Sequence, residues 1–506
     1  MIERLLEGFI HIVSVWSILS ALLGVVSGIV VGALPGLTAT MAVAILSPFT
    51  FLMDASIGIP FLLGVYKGAI YGGSIPAVLI NTPGTAAAAA TCLDGNALAR
   101  KGEARRGLEL SLFASVTADL LSTFVLIFVA APLAAVALKF GPPEITMLFA
   151  LSMTMVAAVS GDSLLKGLIS AALGILLACV GLDPMSGYER FTFGLPDLTG
   201  GVSLVPLLIG MFALSEILIQ AESRMPHLVA RERWSPKGVS FGDLRRVARA
   251  ILRSTGIGAF IGVLPGIGAE VSCWIAYGIA KQRSKRPDEF GKGSLEGLAA
   301  AEAGNNAVCP AALIPMLVFG IPGDTVTAVL LGAFMAQGLL PGPLLFEKHG
   351  QIIYGFFAML LVTNVMLLTL GYFTIRYFAP VVLMPQGLLM PSVLAICFAG
   401  SFAVNSSYFD VLITVAGGFA GYLMRKANVP IPPLVIALLL APGFENGLRQ
   451  SLVLSNADPT IFLTRPISAA IAVFLIVAMV IFVRMGARLR AAKAATPEES
   501  TQPSSY

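Results

Sequence analysis

Long apolar stretches dominate this chain, and polar residues occur mainly in short clusters between them. Residues 5–66 and 293–347 contain no Lys or Arg. A membrane-spanning helix needs about 20 apolar residues, and the sequence offers roughly ten segments of that kind. Because backbone polar groups in lipid must be bonded within the segment, these segments are expected to be α-helices. The pattern predicts an all-α polytopic membrane protein with about 10–12 transmembrane segments.

A Leu-Pro-Gly motif occurs twice within this apolar sequence. Residues 28–36, GIVVGALPG, match residues 258–266, GAFIGVLPG, at five of nine positions. A second Pro-Gly follows in each copy, at Pro83 and Pro322, and a charged insert in the later copy changes the offset from 230 to 239. Each motif should break a helix, because Pro removes a backbone donor and Gly tolerates positive φ. The repetition predicts an internal duplication with discontinuous helices.

Basic residues cluster where the apolar segments end, and they orient the two copies. Cytoplasmic loops collect Lys and Arg. Each basic loop corresponds to a loop with few basic residues in the other copy, which is typical of an inverted-topology repeat. We therefore expect residues 28–53 and 256–280 to form re-entrant hairpins from opposite sides, and both chain termini to be cytoplasmic. The basic segments are 100–106, 224–253, 281–292 and the tail from Arg484 to Lys493.

The duplication and the charge pattern together divide the chain into six parts. Paired hairpins also suggest that one part slides against another, as in an elevator-type transporter. The parts are an N-terminal transmembrane helix (1–27), a first inverted repeat (28–220), an amphipathic cytoplasmic linker (221–255), a second inverted repeat (256–445), a C-terminal transmembrane region (446–484) and a cytoplasmic tail (485–506).

The helix breaks are the first candidate for chemistry. A new helix N-terminus presents free N–H groups and a partial positive charge, so it can bind an anion. Plain kinks in packed helices are the alternative, but four breaks in inverted pairs favour a binding site. Hydroxyl groups add to these termini at Thr38, Thr40, Thr82, Thr85 and Thr325.

Isolated charged residues in apolar surroundings are the second candidate. Lys67 is the only Lys or Arg between residues 5 and 99. It could attract a carboxylate substrate, pair with a buried acid, or extend to the membrane surface. Glu270 and Asp324 flank the breaks of the second copy, where carboxylates could bind a substrate or a cation.

A third cluster lies in the sequence AAAEAGNNAVCP. Glu302, Asn305 and Asn306 offer carboxylate and amide oxygens, which suit a hard cation such as Na⁺. Glu302 could instead carry a proton, and hydrogen bonding between helices is the alternative for all three residues. Asn81, beside the second break of the first copy, could contribute a further amide to the same ion site.

Composition excludes several other classes of protein. The formal net charge is only +4, which fits cytoplasmic loops and not nucleic-acid binding. Five Cys and three His without paired spacing make a metal cluster improbable, and no cofactor is implied. No ATP-binding motif occurs, so any pumping must be coupled to an ion or assisted by another protein. A passive anion channel, or a membrane enzyme with Glu302 or Asp324 as base, remains the alternative to a transporter.

Several long stretches of the sequence resemble one family over nearly the whole chain. They include GALPGLTATMA, YGGSIPAVLINTPGTAAAAATCLDGNALARKGEARRG and GVLPGIGAE. They continue with FGKGSLEGLAAAEAGNNAVCPAALIPMLVFGIPGDTVTAVLLGAF and GLLPGPLLF. With these stretches the chain resembles the large membrane subunit, or permease, of the tripartite tricarboxylate transporters, the TctA family.

This resemblance implies a bacterial inner-membrane transporter with two partners, a small membrane subunit and a periplasmic solute-binding protein. The implied cargo is citrate or another carboxylate, moved by Na⁺ or H⁺ symport. We expect ion coupling at Asn81, Glu270, Glu302, Asn305 and Asn306. Substrate contacts are expected at Gly36, Leu37, Thr38, Thr40, Lys67, Thr82, Gly84, Thr85, Gly266, Ile267, Gly268, Gly323, Asp324 and Thr325.

Overall fold

Apolar helices make up almost all of the regular structure, as the sequence predicts. The structure is a computed structural model, and it describes residues 2–159, 163–183, 185–222, 238–377, 384, 386–477 and 479–480. Within these residues, six helices are long and apolar enough to cross a membrane, and five shorter apolar helices accompany them. The strands β1 (Gly181–Leu182) and β2 (Glu189–Arg190) pair in one antiparallel hairpin. The chain is therefore an all-α polytopic membrane protein.

The predicted linker divides the helices into two sets. The part of the linker at 223–237 and the predicted tail at 485–506 lie outside the described residues. The first set is α1 (Ile2–Ile12), α2 (Val15–Ala33), α3 (Ala39–Thr50), α4 (Ala55–Gly72), α5 (Ser74–Ile80), α6 (Thr91–Arg100), α7 (Ala104–Ala137), α8 (Pro142–Val159), α9 (Leu164–Ala178), α10 (Leu204–Leu208) and α11 (Ser215–Glu222).

The second set follows the linker. Its first five helices, α12 to α16, occur in the same order as α2 to α6 of the first set. It comprises α12 (Phe241–Val263), α13 (Gly268–Arg283), α14 (Leu295–Asn306), α15 (Val308–Phe319), α16 (Thr325–Ala336), α17 (Leu345–Lys348), α18 (Gly350–Thr374), α19 (Gln386–Asn405), α20 (Tyr408–Lys426), α21 (Pro432–Leu454), α22 (Ile461–Thr464) and α23 (Pro466–Val477).

The two Leu-Pro-Gly motifs follow the same backbone path. Helix α2 stops at Leu34, whose backbone is extended (φ −87°), and helix α12 stops in the same way at Leu264 (φ −84°). The glycines that follow, Gly36 and Gly266, have φ of +88° and +82°. Only glycine adopts this conformation without strain, so the motif turns the chain sharply into α3 and into α13. Each motif is therefore the tip of a helical hairpin.

The second break of each copy is also built alike. Helix α5 ends at Asn81 with φ +58°, and helix α15 ends at Gly320 with φ +69°. Both residues are in the left-handed conformation that commonly terminates helices, which Gly and Asn tolerate best. The chain then turns again and starts new helices at α6 and α16.

Glycines let α2 pack very closely on α4. A Cβ atom on Gly28 would lie 2.4 Å from the carbonyl oxygen of Val65. A Cβ atom on Gly32 would lie 2.3 Å from the carbonyl oxygen of Ala69. Successive glycines along α2 face successive residues along α4 in the same order, so the two helices run parallel. Small residues at four-residue spacing are the usual basis of such close contact between membrane helices.

The described parts of three predicted cytoplasmic segments, 100–106, 238–253 and 281–292, lie together on one face of the molecule. Arg106, at the start of α7, pairs with Asp243 of α12 at 2.6 Å. Arg246 of α12 pairs with Glu289, in the loop after α13, at 2.8 Å. Both ends of the α12–α13 hairpin therefore lie on this basic face.

The N-terminal helix lies on the other face. The sequence-based expectation had placed the N-terminus on the same side as the basic segments. In α1, a Cβ atom on Gly8 would lie 2.5 Å from the backbone nitrogen of Gly355, near the start of α18. The far end of α18 reaches the basic face, where the Tyr372 ring lies 6.4 Å from that of Phe113. Because α18 has 25 residues and is about 37 Å long, α1 and the basic segments lie on opposite faces.

The predicted N-terminal transmembrane helix (1–27) is likewise replaced by two helices, α1 and α2. Ser14 begins α2 with a capping box, in which its side chain accepts the Ser17 N–H at 3.0 Å. Helix α2 then continues through residues 27 and 28, so the predicted boundary falls within it. The chain therefore uses α2 and α3, not residues 28–53, as the two limbs of the first hairpin.

Candidate functional site

Four helix N-termini, contributed by α3, α13, α16 and α21, point to one cavity of about 300 Å³. The cavity is lined by the tips and breaks of both copies, so it lies where the two halves meet. Nine of the residues predicted from the sequence line it: Thr38, Thr40, Thr85, Gly266, Ile267, Gly268, Glu270, Asp324 and Thr325.

Local sequence places these N-termini at the cavity. The Thr38 side chain accepts the Met41 N–H at 3.2 Å and so caps α3. Helix α13 begins at Gly268 without any side-chain cap. The first turn of a helix has N–H groups with no partner inside the helix. First-turn donors of α3 and α13 therefore remain unused beside the cavity, whereas the Asp324 side chain caps α16.

Hydrogen bonds tie the two halves together beside the cavity. The hydroxyl oxygens of Thr40 and Thr325 lie 2.7 Å apart. The Tyr66 hydroxyl donates to Oδ2 of Asp324 at 2.7 Å. Oδ1 of Asp324 accepts the N–H of Thr327 at 2.7 Å. Both carboxylate oxygens of Asp324 are thus used by the fold, one for the contact between halves and the other as the cap of α16.

Two cavity-lining side chains have unused polar atoms. Thr85 is 4% exposed, and its hydroxyl oxygen has no hydrogen-bond partner among the described residues. Glu270 is exposed at the cavity, and within the described residues its carboxylate makes no hydrogen bond or ion pair. A buried hydroxyl without a partner is costly in a native protein. Because Thr85 lines the cavity wall, a ligand could supply this partner.

The electrostatics of this cavity come from helices and carboxylates. No Lys, Arg or His is among the described residues that line it. Each helix N-terminus carries roughly half a positive charge. The N-termini of α3 and α13 can therefore attract an anion. Pro432 and Pro433 leave the first turn of α21 without those donors, and the carboxylates of Glu270 and Asp324 oppose an anion on one side.

The structure does not bring Lys67 to this cavity. Its side chain is 1% exposed, and its ammonium lies 2.8 Å from Oδ1 of Asp119 in α7. It also donates to the carbonyl oxygen of Leu360 in α18 at 2.8 Å. Of the three alternatives for Lys67, the described contacts correspond to pairing with a buried acid. Lys67 thereby links α4, α7 and α18.

Other predicted substrate contacts also lie outside the cavity lining, and their backbones make structural hydrogen bonds. The N–H of Gly84 donates to the carbonyl of Gly73 at 3.0 Å. The carbonyl of Gly323 accepts the N–H of Gly266 at 2.8 Å. These bonds hold the breaks in shape. The predicted contacts that do not line the cavity are Gly36, Leu37, Lys67, Thr82, Gly84 and Gly323.

Glu302 lies at the centre of a separate, fully buried polar cluster. Its carboxylate accepts hydrogen bonds from Ser74 at 2.7 Å and from Ser115 at 2.9 Å. Thr91 donates to the same carboxylate. These donors come from α5, α6 and α7, so the cluster joins the first copy to α14 of the second. The sequence analysis missed all three hydroxyl residues, although Ser74 directly follows the Gly72-Gly73 break.

Amide groups next to Glu302 have unused atoms. Asn306 donates to Ser115 at 2.9 Å, but its carbonyl oxygen has no partner among the described residues. Both side-chain polar atoms of Asn305 are buried without a partner there. The structure brings neither Asn81, exposed at the end of α5, nor Glu270 into this cluster. Oxygens of carboxylate, amide and hydroxyl groups fit a hard monovalent cation such as Na⁺.

Two sets of broken helices around one cavity are typical of polytopic membrane transporters. Comparison with known families gives the assignment: the profile described as "Tripartite tricarboxylate transporter TctA family" matches residues 18–436. The chain belongs to this family, a family of transporters.

Two relatives come from Agrobacterium vitis. One, an uncharacterized 52.8 kDa protein in the TAR-I ttuC' 3' region, is 35% identical over 471 residues, which is 93% of this chain and 94% of the relative. The other, an uncharacterized protein in the TAR-II ttuC' 3' region, is 33% identical over 214 residues, or 42% of this chain and 88% of the relative. No solved structure matches the chain.

Proposed function

We propose that this chain is the permease of a secondary transporter that imports tricarboxylates or related carboxylates across the bacterial inner membrane by Na⁺ or H⁺ symport. A periplasmic solute-binding protein delivers the carboxylate, and a small membrane subunit completes the complex. Family membership supports the transporter class. The observation that supports the substrate site most directly is that α3 and α13 begin at the cavity with unused first-turn N–H groups, next to the unpaired hydroxyl of Thr85.

The substrate binds in the cavity between the two halves. Its carboxylates accept hydrogen bonds from the first-turn N–H groups of α3 and α13, and from the Thr85 hydroxyl. Fixed backbone dipoles bind an anion without the tight ion pair that a Lys or Arg would form. A site of this kind releases its cargo readily, as a transporter must.

The coupling ion binds in the Glu302 cluster. Na⁺ would take the carboxylate of Glu302 and the unpaired carbonyl oxygens of Asn305 and Asn306 as ligands. With H⁺ as the coupling ion, Glu302 would carry the proton. Because the cluster joins α5, α6 and α7 to α14, ion binding strengthens the contact between the two halves. That contact would couple ion binding to the state of the substrate cavity.

Reconstitution tests this proposal. The chain and its small membrane subunit are placed in liposomes, and uptake of labelled citrate is measured with and without the binding protein and a Na⁺ or pH gradient. We expect accumulation only when the binding protein and one gradient are both present. Flux without either would show a passive anion channel instead. Chemical conversion of the acid without a gradient would show an enzyme.

A further inference from the structure

The two halves of the cavity carry different chemistry at equivalent positions. Aligned at the offset of 230, Thr40 of the first copy corresponds to Glu270 of the second. Aligned at the offset of 239, Thr85 corresponds to Asp324. All four side chains line the cavity. One wall therefore offers hydroxyl donors, and the equivalent wall offers carboxylates.

Only one of the two carboxylates is available to a ligand. Asp324 is 7% exposed, and both of its oxygens already accept hydrogen bonds from Tyr66 and Thr327. Glu270 is exposed at the cavity and has no hydrogen bond or ion pair among the described residues. Glu270 is thus the acceptor that remains free for a ligand.

A carboxylate group of the ligand placed directly against Glu270 would be repelled, because both groups are negatively charged. Carboxylates alone therefore do not explain why Glu270 lines the cavity. A ligand with a hydrogen-bond donor beside its carboxylate fits both walls. The carboxylate would bind the α3 N-terminus and the Thr85 hydroxyl, while the donor would bind Glu270. The donor could be a hydroxyl or an ammonium group, since a carboxylate accepts hydrogen bonds from both.

Resting on the proposed function above, we propose that the cavity selects small carboxylates that also carry a hydroxyl or ammonium donor, and that Glu270 is the specificity-determining residue that accepts this donor. Glu270 then orients the ligand, because the pseudo-equivalent wall presents only threonines.

The affinities of matched ligands for the purified complex in detergent, measured by calorimetry, test this inference. Succinate, malate and aspartate differ only at one carbon, which carries hydrogen, hydroxyl or ammonium. Tricarballylate and citrate form a second pair that differs only by one hydroxyl. Hydrogen bonds to a charged group contribute about 1.5–3 kcal/mol, which corresponds to roughly 10- to 150-fold in affinity. In at least one of the two groups, we expect a donor-bearing acid to bind at least ten times more tightly than the matched acid without the donor.

The Glu270→Gln variant distinguishes the two donors. Its amide oxygen still accepts from a hydroxyl, so a preference for malate or citrate should fall to a few-fold. Its lost charge should remove a preference for aspartate almost completely. Asp54→Asn is the matched control, because Asp54 stands at the start of α4 without a side-chain hydrogen bond and outside the cavity lining. It should leave every ratio unchanged.

The outcomes separate this inference from the proposed function. If succinate and tricarballylate bind as tightly as their donor-bearing partners, or if Glu270→Gln leaves the ratios unchanged, the role of Glu270 is overturned while carboxylate binding stands. If none of the five acids binds the complex, even when the binding protein delivers it, the proposed carboxylate site itself is wrong.

Discussion

The buried pair between Lys67 and Asp119 gives the sharpest test of the structure. The two charges lie 2.8 Å apart, and the side chains are 1% and 0% exposed. At an effective dielectric constant of about 20, their attraction is roughly 6 kcal/mol. Much of this gain offsets the cost of burying both charges. Lys67→Met should therefore destabilise the protein by about 3–5 kcal/mol, because it leaves Asp119 buried and unpaired.

The double variant Lys67→Met/Asp119→Leu should recover most of this loss. Removing a whole buried pair in favour of apolar side chains is often neutral or stabilising. Thermal unfolding in detergent compares the wild type, both single variants and the double variant. Lys166→Met is a suitable control, because Lys166 makes an exposed hydrogen bond to a backbone carbonyl.

Uptake measured on the same four proteins separates structure from substrate binding. If Lys67 only links helices, the double variant should transport at close to the wild-type rate. A double variant that is stable but inactive would return Lys67 to the substrate site. A double variant as unstable as Lys67→Met alone would contradict the ion-pair reasoning itself.

Three further predictions concern packing, pH and ion coupling. Gly28→Ala should lower the midpoint of thermal unfolding, since overpacking costs about 1–3 kcal/mol, whereas Gly278→Ala, with open space around it, should be neutral or stabilising. The Arg106 hydrogen bond is the main cause that lowers the pKa of Asp243 from 3.8 to about 2. Its stabilisation is therefore present above pH 3.8 and is lost as pH falls towards 2, so Asp243→Asn should lower the unfolding midpoint at pH 7 and have little effect at pH 2. Asn305→Ala should reduce uptake and shift its Na⁺ or H⁺ dependence; unchanged kinetics would remove Asn305 from the ion site.

Local backbone chemistry explains what the sequence predicted well. Pro35 and Gly36 restrict the chain wherever they occur, so the hairpin tips were visible without any tertiary information. The alignment of the copies likewise placed Thr38, Thr85 and Asp324 near equivalent breaks. All three line the cavity.

Tertiary contacts explain what the sequence could not predict. The partner of Lys67 is Asp119, which lies on a different helix, and no local pattern joins the two. The division between α1 and α2 at Ser14 was hidden because apolar residues continue on both sides, and Arg4 is accompanied by two nearby acids, which weakens its orienting signal. Pro430 and Pro432 complete the cavity from a segment with no obvious relation to the breaks.

The cavity draws its walls from residues as far apart as Thr38 and Ile436, and this has a consequence for biosynthesis. A ribosome adding about 5–20 residues per second needs roughly 20–80 s to make the intervening chain. Throughout that time the α3 N-terminus has left the ribosome without the helices that later enclose it. Nascent chains arrested before α21 should therefore insert in the membrane but bind no carboxylate, and a chaperone or insertase has a long interval in which to protect the half-built site.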